Sequence, residues 1–195
     1  VAQDIKNPNI RWGYIDQSVF CKELHELIQM RFSMVKRPLL ATIEKWLQPF
    51  SADQTICFTG FTHPPYKQKT IDLLNHANVY SDFILVRGVE GSTLLPSDRR
   101  TPFITGKKGQ NVNFDFMSPE TFKIDHFQID DQLPEDTLTI GENALSGNNE
   151  AVANFLRYQC LVIGHFLNKD MFQFNEALLS AITSGKALAH WKALT

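Results

Sequence analysis

The amino-acid sequence predicts an α/β fold in which a mainly parallel β-sheet is flanked by helices. The main observation is a strand–helix–strand succession at residues 55–87, where two short apolar runs enclose an amphipathic segment. A second observation is the segment 151–167, which is apolar nearly all round and therefore predicts a central, covered helix. Hydrophobic residues make up 43% of the 195 residues, enough for a core without metals or disulfides.

The first elements are a strand at residues 10–15 and helices at 19–34 and 39–47. Pro38 separates the two helices because the residue before a proline avoids helical backbone angles, and Pro49 closes the second. Since the chain starts with Val1 and reaches a core strand with no helix before it, we expect upstream sequence to be missing.

The central unit begins with the apolar run 55–59, typical of a buried parallel strand. Pro64 and Pro65 then open a helix at 66–77. Its inward face is expected to carry Ile71, Leu73, Leu74 and Ala77. A second buried strand follows at 82–86. Ligands of parallel sheets bind beyond the carboxyl ends of the strands, which here carry residues 60–63 and 87–92.

Residues 93–139 are predicted to be polar and rich in loops, with one half-exposed strand at 111–116, where polar and apolar residues alternate. The tetrad 106–109 (Gly-Lys-Lys-Gly) is interpreted as a turn, because no buried strand is predicted before it. Two closing helices are expected at 172–184 and 186–194, with Gly185 as the cap between them.

Charge and cysteine content narrow the class of protein. A net charge of −2 gives no global attraction to nucleic acid or membrane, so any polyanion site would be a local patch. The three cysteines, Cys21, Cys57 and Cys160, are widely spaced without a CxxC motif, which is typical of reduced, inert thiols in a cytoplasmic protein. No apolar run is long enough to span a membrane.

Four segments, in order, resemble the anthranilate phosphoribosyltransferase family over nearly the whole chain. Arg37 and Pro49 match the spacing of an Arg-Thr-x-x-Asn…Asn-Pro stretch. Residues 59–64 and 86–91 are similar to the family's Gly-Val-Tyr-Asp-Pro and Val-x-Gly-x-Asp-Gly strand ends. Residues 145–147, a long helix and then 181–187 are similar to its closing Ala-Ile-x-Ser-Gly-Lys-Ala.

The resemblance implies the large α/β domain of a phosphoribosyltransferase-like fold. Residues 1–195 would be a C-terminal glycosyltransferase-like domain, with the helical domain and the pyrophosphate loop absent. The implied activity is transfer of a phosphoribosyl group from phosphoribosyl pyrophosphate to an aromatic amine such as anthranilate, in tryptophan biosynthesis. Magnesium in the full-length parent and a homodimer are implied with it.

The sequence departs from the family at the magnesium ligands. Thr93 and Leu94 replace an Asp-Glu pair, and a leucine cannot ligate a cation that prefers oxygen. Ala41 replaces the Asn of the first motif, and Glu44-Lys45 replaces its Gly-Pro. This chain therefore supports no metal of its own. A paralogous branch without the Asp-Glu pair shares the Arg-Gly-x-Glu-Gly form and is associated with nucleic-acid binding by the dimer.

The candidate residues form two groups. A substrate cleft would use Arg37 against an acceptor carboxylate, together with the strand-end residues Gly60, His63, Arg87, Gly88, Glu90 and Gly91. A basic patch would comprise Lys36, Arg99, Arg100, Lys107 and Lys108 and would hold substrate phosphate, or DNA or RNA, unless it is only a solvated loop.

Two single residues keep alternative roles. Glu90 would orient a ribose hydroxyl or a metal-bound water, or else cap its turn or pair with Arg87. His63 would act as an acid or base, or as a polar cap on its loop. For the chain as a whole, three hypotheses stay open: a phosphoribosyltransferase, a non-catalytic nucleic-acid-binding relative, and an inert fragment.

Overall fold

The computed structural model describes residues 15–34, 40–50, 52–77, 79–108, 110–124 and 136–193. Within them the protein is a mixed α/β domain with a four-stranded sheet of order β1-β2-β3-β4. The strands are β1 (Ile56–Gly60), β2 (Asp82–Val86), β3 (Thr101–Lys107) and β4 (Asn113–Met117). None of the described helices is long and apolar enough to cross a membrane.

The predicted strand–helix–strand unit is confirmed. β1 and β2 are parallel, with Ile56 opposite Asp82 and Gly60 opposite Val86. The crossover helix α5 (Pro64–Ala77) starts at the proline pair and buries Thr70, Ile71 and Leu74. The inward face differs slightly from the expected one, because Leu73 is 40% exposed.

The prediction of a mainly parallel sheet is not confirmed, because β3 runs antiparallel to both β2 and β4. A parallel strand after β2 would need a crossover, usually a helix. The intervening residues 87–100 contain only a short 3₁₀ turn, Val89–Gly91, and the chain reverses. Only five residues separate Lys107 from Asn113, too few for a crossover connection, so β4 pairs antiparallel with β3.

The interpretation of residues 106–109 as a turn with no strand before it was wrong for its first half. Gly106 and Lys107 lie inside β3, which is largely buried. The absence of a side chain at Gly106 is required there, because the ring of Phe83 lies 2.2 Å from where a Cβ would stand. Strand β3 was missed because Pro102, Thr105 and Gly106 interrupt its apolar run.

Two hydrophobic clusters cover the two faces of the sheet. The face toward α7 (Glu150–Phe166), called the α7 face, buries Ile84, Val86, Leu95, Phe103, Met117, Ile124, Tyr158, Leu161 and Val162. The face toward α5, called the α5 face, buries Cys57, Phe61, Ile71, Leu74, Phe83, Leu85 and Ile104. The alternation of side chains along β2 supplies both clusters, which confirms that β2 is a central, fully buried strand.

The C-terminal helices complete the α7 layer. α7 is confirmed as a central helix, with Tyr158 and Val162 fully buried. α8 (Met171–Thr183) and α9 (Lys186–Lys192) follow, and Gly185 joins them with φ = 71° as expected for a cap. A further helix, α6 (Thr137–Leu145), begins at the end of the loop-rich segment 93–139 and was not predicted.

The N-terminal part is more broken than predicted. The expected helix 19–34 consists of α1 (Gln17–Phe20), α2 (Lys22–Glu26) and α3 (Ile28–Phe32), and helix 39–47 of α4 (Leu40–Ile43) with a 3₁₀ turn, Glu44–Trp46. Glu44 ties these pieces together by accepting hydrogen bonds from Arg31, at 2.5 Å, and Gln17. The predicted strand 10–15 lies outside the described residues except for Ile15.

Candidate functional site

The carboxyl ends of β1 and β2 meet in a tightly packed loop. Gly60 and Gly88 both lie under the carbonyl of Ser92, and a Cβ at either position would stand 1.8 Å from that oxygen. The loop is closed by two backbone bonds, in which the Val89 amide donates to the Leu94 carbonyl and the Phe61 amide to that of Val86. These glycines are therefore explained by backbone packing within the protein.

Glu90 and Gly91 turn the loop outward through left-handed backbone. Glu90 has φ = 50°, unusual for a residue with a side chain, and Gly91 has φ = 77°. The Glu90 side chain is exposed, and it forms no ion pair with Arg87 among the described residues. The Glu90 carboxylate is therefore exposed to solvent at this edge of the sheet.

Lys45 contacts this loop, although the sequence marked it only as a departure from the family pattern. Its Nζ donates to the Gly91 carbonyl at 2.6 Å. Gly91 is also close to Thr62, whose Oγ1 would lie 2.3 Å from a Cβ at that glycine. The 3₁₀ turn at Glu44–Trp46 is thereby joined to the end of the parallel strand pair.

His63 is exposed at the start of α5, with its ring 6.5 Å from that of Tyr66. Helix N-termini often bind anions through free amides. Here Pro64 and Pro65 carry no N–H group, and the Tyr66 amide already donates to the His63 carbonyl. The first turn of α5 is thus poorly equipped to bind phosphate through its backbone.

The predicted basic patch is divided by strand β3. Thr101 begins β3 at the edge where β2 ends, so Arg99 and Arg100 lie near Arg87, and all three side chains are exposed. Lys107, at the other end of β3, lies opposite Asp82 of β2 in the strand register. The rise along a strand separates the two ends by about 20 Å. Lys108 follows Lys107 at that far edge, while Lys36 and Arg37 lie outside the described residues.

A surface that sequence reasoning missed lies beside Arg100, where α5 leaves the α5 face of β4 open. Phe114 and Phe116 are 56% and 47% exposed and face the same side. The Arg100 guanidinium lies 4.5 Å from the ring centroid of Phe116, and Lys67 Nζ lies 5.5 Å from that of Phe114. Within α5 itself, Lys69 Nζ lies 6.0 Å from the ring of Tyr66. We call Phe114, Phe116, Arg100 and Lys67 the aromatic–basic surface.

The alternation at residues 111–116 was a usable signal for this surface. It predicted a half-exposed strand, and the structure confirms β4 there. What it could not tell is that the aromatic side chains, not only the polar ones, stay accessible. The cations that contact them come from α5 and from the start of β3, which are distant in sequence.

A side chain from α7 holds the loop between the strand-end site and Arg99. The Gln159 carboxamide accepts from the Leu95 amide at 2.9 Å and donates to the Leu95 carbonyl at 3.0 Å. Because Leu95 is fully buried, these two bonds satisfy backbone groups that water cannot reach. Nothing in the local sequence pattern pointed to Gln159.

The thiols agree with the expectation of inert cysteines. All three are free, and burial raises the pKa of Cys57 to about 11 despite its hydrogen bond with Tyr80. Burial likewise raises the pKa of Cys160, and that of Tyr80 to about 12. Across the described ranges, no group of three or more His, Cys, Asp or Glu side chains is placed to hold a metal ion.

A shallow pocket of about 220 Å³ lies far from the strand-end loops. Tyr80, Ser81 and Lys108 are among the residues that line it, so it opens at the amino-terminal end of β2. The Lys108 amide donates to the Ser81 carbonyl at its rim. The pocket is therefore separate from the strand-end residues that the sequence singled out, although Lys108 of the predicted basic patch lines it.

Comparisons with known proteins add one relative and no family. No family model matches the chain. An uncharacterized protein of Aquifex aeolicus is 29% identical over 100 residues, which is 51% of this chain and 31% of that protein. The match thus spans about a third of the relative's length.

Proposed function

We propose that this chain is a nucleic-acid-binding protein that contacts the phosphate backbone without sequence specificity. The observation that carries the proposal is the grouping of Arg87, Arg99 and Arg100 at one sheet edge, with Lys67 of α5 on the neighbouring ring of Phe114. Phosphate contacts need only Lys and Arg, and they supply most of the affinity of non-specific binding.

At this edge three exposed arginines outnumber two exposed carboxylates, those of Glu90 and Asp98, so the local charge is positive although the whole chain carries −2. Of the acidic residues nearby, Asp98 lies 3.5 Å from Arg99, but both side chains are more than half exposed, so this pair is weak and easily exchanged for phosphate. Asp115, between Phe114 and Phe116 on β4, alternates to the other face of the sheet. A homodimer, which we propose with it, would double the basic surface.

The test is fluorescence anisotropy of a labelled 20-nucleotide DNA, titrated with the protein at several salt concentrations. The double variant R99A/R100A should weaken binding at least tenfold, because it removes charge at the proposed edge. It should also lower the slope of log K against log salt by about 1.5, the effect of two lost phosphate contacts.

The matched control is K107A/K108A, which removes the same charge at the opposite edge of the sheet. We expect its affinity for DNA to stay within about twofold of that of the unchanged protein, once the more negative net charge is allowed for. Equal losses from the two double variants, or the absence of salt-sensitive binding, would refute the proposed location.

A second candidate is phosphoribosyl transfer to an aromatic amine in the cytoplasm, with magnesium bound in a longer parent protein. The parallel β1–β2 pair and its glycine loops favour it, since ligands of such sheets bind at the carboxyl ends of the strands. Thr93 and Leu94 weigh against it. Displacement of the labelled DNA by magnesium phosphoribosyl pyrophosphate would favour the transferase; failure to displace it would favour the nucleic-acid-binding protein.

A further inference from the structure

We infer that the aromatic–basic surface stacks nucleobases and makes this protein select single strands over duplexes. The inference rests on the proposed nucleic-acid binding and goes beyond it, because phosphate contacts alone do not distinguish the two forms so sharply. It assigns a binding role to Phe114 and Phe116, which lie outside both groups of residues that the sequence singled out.

The first support is the placement of the two rings. Phe114 and Phe116 are two residues apart on β4, so they face the same way and lie about 7 Å apart. They lie opposite Ile104 and Pro102 of β3, and Ile104, on the same face of the sheet, is fully buried. The rings therefore stand side by side on the edge strand of the sheet, next to its core, and each keeps about half its surface accessible.

The second support is the charge next to each ring. Lys67 lies over Phe114 and Arg100 over Phe116, from opposite sides of the open face. Cation–π contacts at exposed sites are weak, so a nucleobase can displace either cation from its ring. The displaced ammonium or guanidinium is then within reach of the phosphate attached to that base. Aromatic side chains that stack bases, beside cations that contact the backbone, are the combination that single-strand-binding proteins use.

The same geometry disfavours a duplex. Bases in a duplex are stacked on each other and offer only their edges in the grooves, so their faces cannot meet Phe114 or Phe116. A duplex would gain only the phosphate contacts of the arginines and lysines. The protein should thus bind both forms at low salt, and single strands better.

The test compares a labelled 20-nucleotide single strand with its duplex under identical salt. In F114L/F116L, which keeps apolar bulk but removes the aromatic faces, we expect single-strand affinity to fall about tenfold or more, and duplex affinity to change less than twofold. The control F172L alters another exposed phenylalanine, on α8, and should change neither. Circular dichroism would verify that all three proteins fold.

A second variant covers the case in which the leucine protein does not fold. F116W keeps an aromatic face, so it should retain single-strand binding, and stacking should quench the new tryptophan fluorescence on addition of the strand but not of the duplex. The absence of that quench would overturn the inference.

The outcomes separate this inference from the proposed function. If F114L/F116L leaves both affinities unchanged, or lowers both equally, stacking is refuted while phosphate binding stands. If no oligonucleotide binds the unaltered protein at low salt, both proposals fail. The surface could instead pair two copies of the chain. If light scattering shows a doubled mass for the unaltered protein and a single mass for F114L/F116L, the inference is also wrong.

Discussion

The two faces of the sheet are built from similar residues but are covered very differently. On the α7 face, Phe103 and Met117 are 3% and 2% exposed. On the α5 face, Phe116, the direct neighbour of Met117 in β4, is 47% exposed. An aromatic residue on a strand is thus buried or exposed depending on which helix reaches it.

The difference follows from the lengths and connections of the helices. α5 is the crossover between β1 and β2, so its apolar side packs against those two strands and Ile104 of β3, and it reaches β4 with the Lys67 side chain. On the other side, α7 and α8 together with residues near the 3₁₀ turn Pro119–Phe122 extend the core to Met117 and Ile124. The core of the α7 face therefore includes the last residue of β4, whereas Phe114 and Phe116 on the α5 face stay accessible.

The largest expected effect tests the comparison directly, with two phenylalanines on neighbouring strands. Phe103→Ala should lower the free energy of unfolding by about 3–5 kcal/mol, since it leaves a cavity in the α7-face core. Phe114→Ala should cost about 1 kcal/mol or less, because its ring is already half in water. Urea unfolding of both variants measures this, and comparable losses would mean that the α5 face of β4 is covered in solution.

A smaller loss of stability is expected at the carboxyl ends of the parallel strands β1 and β2. Gly88→Ala drives a methyl group into the Ser92 carbonyl, so it should destabilise by about 1–3 kcal/mol. Gly141→Ala is the matched control, because nothing lies within 4 Å of a Cβ there in helix α6. It should stabilise by up to about 1 kcal/mol through helix propensity. Thermal unfolding would reveal the opposite signs, and a neutral Gly88→Ala would contradict the packing described.

Gln159 tests whether α7 holds the loop that leads to Arg99. Gln159→Leu leaves the buried amide and carbonyl of Leu95 without partners and should cost about 2 kcal/mol. Gln173→Leu, at an exposed position on α8, is the control and should change stability by less than about 0.5 kcal/mol. Equal midpoints of denaturation for these two variants would show that the loop does not depend on Gln159.

The smallest expected change in stability is a pH dependence at Cys57, which is buried on the α5 face of the sheet. Burial raises the pKa of Cys57 from 9.0 to about 11, so above pH 9 the unfolded chain loses this proton before the folded protein does. Stability that is complete below pH 9 must therefore fall as pH rises toward 11, by about 1 kcal/mol at pH 10. Cys57→Ala should flatten this decline between pH 9 and 11. Urea unfolding at several pH values measures the slopes, and identical slopes for the variant and the unaltered protein would place Cys57 in contact with water.

Local patterns were sufficient for the helices and strands whose neighbours in space are also neighbours along the chain. The β1–α5–β2 unit was predictable because the apolar runs, Pro64 and Pro65 are all local signals. α7 and the cap at Gly185 were predictable for the same reason. Strand β3 and helix α6 were not, since Pro102, Gly106 and Gly141 weaken their local patterns while long-range packing stabilises them.

For the site, the sequence was enough to place Gly60, Gly88 and Glu90 at strand ends and to expect a half-exposed strand near residue 114. The tertiary structure decided the rest. It separated Arg100 from Lys107 by the length of β3 and brought Arg100 and Lys67 onto the rings of β4. Alternation along a strand defines two faces but not which is covered, because coverage depends on contacts between segments far apart in the chain.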